Sequence, residues 1–164
     1  MKLSAYGITT DLPAGWEGRI TKRTTPAVAD AGSEPTGARG SAGEVPHPVV
    51  HLANFALPEN RGDFGSGAVD VMGAGHLLVT LFEYGSESVG QALFAHQGVP
   101  SLRPSMFSLS ALQRTLPGQA GCQRWFTESD RAFCAYVVLG RHDEASTLVP
   151  KANLALRATR IEPR

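Results

Sequence analysis

The hydrophobic pattern of this chain changes period several times, and each change marks an element. Residues 2–10 alternate between apolar and polar. Leu12, Pro13, Ala14 and Gly15 supply a turn, after which Trp16, Gly18 and Ile20 share one face against Glu17, Arg19 and Thr21 on the other. This predicts a hairpin with one buried side. Residues 47–57 and 76–84 are apolar on both faces and rich in β-formers, so both are expected as inner strands, the second in the middle of a covered sheet. Between them, residues 58–67 form a turn-rich loop and 68–72 read as a short strand.

Residues 86–98 shift to the helical period. Val89, Ala92, Leu93 and His96 fall at i, i+3, i+4 and i+7, with Ser86 as a cap and Gly98 and Pro100 as a stop. Residues 107–116 suit strand or helix, and strand is preferred because Pro117, Gly118 and another strand follow directly. Residues 122–140 form the clearest hairpin, turning at 127–131 with Phe126 opposite Phe133. In that register Cys122 faces Val137 and Cys134 faces Trp125, on opposite sides of the ribbon, so the two cysteines cannot bond and are expected as buried thiols. A closing helix starts at Thr147, holds Pro150 in its first turn and groups Leu148, Ala152, Ala155 and Leu156, with a short tail strand after it. The expectation is an α+β fold: one antiparallel sheet of about six to eight strands, with a middle helix and a C-terminal helix packed on it.

Residues 24–46 hold mostly Ala, Gly, Pro, Ser, Thr and charge, which predicts a disordered insert within a single domain spanning 1–164. Fifteen basic residues balance fifteen acidic ones, so no long-range field draws in nucleic acid. The first residues lack the apolar run of about 7 to 15 residues that a secretion signal needs. No stretch reaches the roughly 18 apolar residues of a membrane span. A cytoplasmic protein is expected, and twelve arginines against three lysines suggest a GC-rich bacterial genome.

The stretch YGITTDLPAGW, the LPGQAG segment leading into WFTESDRAFCAYVVLG, and a terminal helix ending in LRATRI form a familiar order. In this the chain resembles the PsbP/DcrB-like α+β proteins, which include extrinsic photosystem subunits, actinobacterial LpqN-type lipoproteins and chaperones for secretion-system effectors. The resemblance covers about half the chain and includes no catalytic motif. It implies a binding module with a protein partner. The chain departs from the group in lacking a lipobox cysteine and in carrying the insert, so neither localisation nor partner carries over.

Candidate chemistry is sparse. His47 and His51 would be ligand-spaced on a helix, but four residues of strand span about 13 Å, too far to share an ion. His76, His96 and His142 stand alone. Gly65-Ser66-Gly67 precedes a strand where a dinucleotide fingerprint must follow one. Glu83 and Glu87 offer an acid pair across a strand end and a helix start. No catalytic, cofactor or metal residues are assigned. The loop at 58–67, with Arg61, Asp63 and an exposed Phe64 between glycines, is the candidate partner-binding tip. The favoured function is a non-enzymatic adaptor or chaperone-like module. The alternatives are a subunit of a secretion or contractile assembly, and a small enzyme using His51, Asp63 and Glu83.

Overall fold

The computed structural model describes residues 1–23 and 46–164; all but Pro46 of the expected insert lies outside the described residues. Two antiparallel sheets form the α+β architecture. Strands β1 (Lys2–Ala5), β2 (Ile8–Asp11) and β8 (Thr159–Ile161) make a small sheet in the order β1-β2-β8. A five-stranded sheet runs β3-β4-β5-β7-β6, from β3 (Glu17–Lys22), β4 (Pro48–Ala53), β5 (Leu77–Glu83), β6 (Ala120–Glu128) and β7 (Arg131–Leu139). The expected single sheet is thus divided. The two strands flanking Leu12 to Gly15 do not pair with each other: β2 pairs with β1 and β8, and β3 with β4. The hairpin turn lies earlier, at Tyr6 and Gly7, whose φ values of 55° and 73° give the left-handed pair that matches strand twist.

The strands expected as inner are inner. Every residue of β4, β5 and β7 is buried, and β5 lies between β4 and β7. On one face of the large sheet, Val50, Leu52, Val79, Leu81, Phe133 and Val137 pack with the buried side of helix α2 (Ala145–Arg157) and with Ile8 and Ile161 of the small sheet. Leu148, Ala152, Ala155 and Leu156 are buried there as their spacing predicts. The helix starts two residues before Thr147, extending a 3₁₀ turn at His142–Glu144, so Pro150 sits past the first turn. On the other face, Val49, Leu78, Phe82, Tyr136 and Val138 are covered by loops.

Three local expectations give way to this loop cover. Residues 68–72 are no strand; Ala68 and Val69 end a one-turn helix, α1 (Ser66–Val69), that tucks both under the sheet. Residues 107–116 form an irregular loop in which Ser108 alone bridges to the sheet, at Gly121, while Leu112 and Leu116 pack on the second core. The middle helix is replaced by 3₁₀ turns at Ser86–Ser88 and Ala92–Phe94. Gly90, at φ 87°, interrupts the would-be helix, and Leu93 stays 56 % exposed while Phe94 turns inward.

The β6–β7 hairpin holds the expected register, with Phe126 opposite Phe133, Cys122 opposite Val137 and Trp125 opposite Cys134. The two buried thiols belong to different cores and are free.

Candidate interaction edge and the polar row beneath it

A row of polar side chains crosses the loop-covered face of the large sheet. Strand register sets Arg19 beside His51, His51 beside Thr80, Thr80 beside Tyr136 and Tyr136 beside Gln123. Period-two alternation makes them share one face. His51 is fully enclosed. Its Nε2 donates to the Asp63 carbonyl at 2.9 Å, which leaves Nδ1 to accept from Arg61 Nε at 3.4 Å. Burial, followed by the Arg61 charge, pushes the imidazole down to about 4, against the smaller opposing effect of the Asp63 hydrogen bond. His51 is therefore a neutral structural post holding the 58–67 loop. Gly65, at φ 73°, lets that loop approach the sheet, since a Cβ there would lie 2.7 Å from Leu78 Cδ2.

Of the three residues expected at a partner-binding tip, Arg61 and Phe64 turn toward the sheet and Asp63 is engaged through its backbone. Arg61 is half-buried on His51 and also donates to the Pro58 carbonyl. Asp63 contributes its backbone to His51, and Phe64, expected to be exposed, packs its ring 4.4 Å from that of Phe82. The loop is a cover for the second core. Nor do the residues of the enzyme alternative form one constellation. Glu83 is engaged by Arg131 and Arg164, and Asp63 meets His51 through a carbonyl. Glu87 sits in the first turn at Ser86–Ser88, while Glu83 is committed to its arginines. His76 stacks on Phe55 and accepts from the Gly73 N–H. Among the described residues no three His, Cys, Asp or Glu side chains are grouped to hold a metal.

At the far end of the polar row the sheet is open among the described residues. Strand β6 pairs with β7 on one side. On its other side Gly121 exchanges both backbone hydrogen bonds with Ser108, and Thr127 accepts from Gly98 and donates to His96. These two residues therefore point their N–H and C=O groups away from β7. Antiparallel alternation makes Gln123 and Trp125, between them, do the same. Among the described residues no hydrogen bond reaches those four backbone groups. The chain from 97 to 118 explains why. It touches the edge at Thr127, leaves it to pack Leu102 and Phe107 into the first core, and returns only at Ser108.

The gap it leaves is a groove of about 450 Å³ lined by Met106, Ser110, Leu112, Gln113, Gln123 and Arg124, among others. Tyr136, last buried member of the row before the edge, holds the groove's wall: its hydroxyl accepts from the Gln113 N–H at 3.0 Å. Burial raises this phenol, so it stays protonated and neutral. The exposed Leu93 and Leu109 belong to the segments that close the two ends. Sequence reasoning located the hairpin and missed this edge. The arms' composition hints only at which arm is outer, since Gln123 and Arg124 interrupt the first while the second is wholly apolar from Ala132 to Leu139; the opening itself follows from strand order.

No family model, curated protein or solved structure matches this chain. Among the described residues no helix is long and apolar enough to cross a membrane.

Proposed function

We propose that the chain is a non-enzymatic protein-binding module, adaptor-like or chaperone-like, that takes an extended segment of its partner onto the open edge of β6. The observation carrying this reading is the pair of outward-facing residues, Gln123 and Trp125, which have no backbone partners among the described residues and lie between two closed ends. An unpaired strand edge is a template for another chain, and main-chain hydrogen bonds supply affinity in strand addition. Natural edges are normally blunted by proline, bulges or cover; this one is covered at Gly121 and Thr127 and open between them. The chemistry of the interior supports the same reading, because His51, Glu83 and both thiols are consumed in holding the fold.

The PsbP/DcrB-like resemblance and a bacterial, cytoplasmic setting belong to this proposal. The closing helix with its tail strand supports the resemblance, whereas the separation of β2 from β3 departs from the first hairpin on which it partly rests.

The test is capture of a partner from the native host by the wild-type chain and by Gln123→Pro. Proline removes only an outward N–H and is tolerated on an edge facing solvent. A stoichiometric partner held by the wild type and lost by a folded Gln123→Pro supports the reading. Equal capture by both variants, or a clean monomer with no partner across conditions, contradicts it.

A further inference from the structure

Resting on the reading of β6 as a docking edge, we infer that its occupant is an extended peptide segment carrying a carboxylate opposite Arg124. Gly121 and Thr127 lie six residue steps apart, a run of about 20 Å, which admits a short strand and nothing broader. Arg124 is exposed at the centre of that run and contributes the only charge among the described residues lining the groove, whose other polar side chains named above are neutral: Ser110, Gln113 and Gln123. The nearby Arg114 is already paired with Asp70. A segment laid along the edge thus meets, among the described residues, one cation without an ion pair at mid-span and uncharged hydrogen-bonding groups around it. Opposite charges facing each other across a strand pair are favourable, and like charges are not.

The same arginine disfavours the simplest competitor, a second copy of this chain. A two-fold antiparallel pairing that uses both open residues sets Gln123 against the partner copy's Trp125. Arg124 then lies directly opposite its own symmetry mate. The edge is open to acidic segments and guarded against itself.

The experiment uses fluorescein-labelled eight-residue peptides of alternating Val and Thr with Glu, Gln or Lys at the fourth position. Binding to the full chain is read by anisotropy and by amide exchange at Gln123 and Trp125. The Glu peptide should bind tightest, about fivefold tighter than the Lys peptide. Arg124→Glu, a surface change whose folding is checked by its thermal transition, should reverse that order. Equal binding of all three with protected Gln123 and Trp125 amides would overturn the acidic preference and leave the docking edge standing. Absence of both binding and protection would overturn the edge itself. A concentration-dependent dimer in sedimentation, abolished by Gln123→Pro, would assign the edge to a second copy and overturn the inference.

Discussion

Arg131 donates from Nε and Nη2 to the two carboxylate oxygens of Glu83, at 2.9 and 2.7 Å, with both side chains almost wholly buried. The rest of the guanidinium reaches the carbonyls of Tyr6, Gly7 and Glu162. All five N–H groups are thereby satisfied. One side chain fastens the β1–β2 turn and the tail beyond β8 to the end of β5, and so joins the small sheet to the large one. Without Arg131, buried Glu83 keeps only the half-exposed Arg164 as a counter-charge, and breaking a buried pair typically costs about 3–5 kcal/mol. Arg131→Met is expected to lose stability of that order in urea unfolding. Adding Glu83→Leu should recover much of it, and a double variant no better than the single would refute this account of the pair.

His51 makes stability depend on acid. Its folded value near 4 lies below the unfolded 6.5, so the unfolded chain binds the proton first as pH falls. Stability contributed by neutral His51 is full above about pH 6.5 and declines as pH drops toward 4. The eventual loss is on the order of 3 kcal/mol. Arg61 and the Asp63 carbonyl are the groups bonded to the ring, and Arg19 flanks it in register. His47 adds in the same direction, because burial lowers it as well. Denaturant unfolding at pH 7, 5.5 and 4.5 should show the decline in the wild type and a shallower one in His51→Gln.

Tyr136 links the polar row to the groove. Tyr136→Phe removes a single acceptor and should cost about 1 kcal/mol. Its local effect should be larger, with faster amide exchange at Gln113 than in the wild type. Unchanged exchange there would mean that the groove wall stands without the hydroxyl.

The thiols should be silent. Burial pushes Cys134 up to about 12 and Cys122 in the same direction, and the thiolate is the reactive form. A disulfide reagent at pH 8 is expected to label neither until the chain unfolds. Prompt reaction of either cysteine in the native state would contradict their placement in two separate cores.

What was legible in the sequence follows the strength of each local signal. The inner strands, the β6–β7 register and the buried side of α2 are fixed by long apolar runs, so they could be read directly. The first hairpin was misplaced because its turn is Tyr6-Gly7, and tyrosine in a left-handed turn carries no usual turn signature, whereas Pro13 and Gly15 mimic one. Ser86 to Gly98 has the helical period over too few residues to outweigh Gly90. At the candidate site, the loop at 58–67 was recognised as special, but its direction was not readable. Whether Phe64 faces solvent or Phe82 depends on the aromatic patch that three distant strands assemble. The β6 edge depends on strand order, which no short stretch of sequence specifies.

The most direct test of an open β6 edge is residue-resolved amide exchange on the free protein. Gly121 and Thr127, bonded to Ser108 and His96, should be protected, and so should Phe126 within the β6–β7 ladder. Gln123 and Trp125 should exchange orders of magnitude faster than these neighbours, a strand protected at every residue but two. Uniform protection from Gly121 through Thr127 would show that the edge is already occupied and would contradict the account.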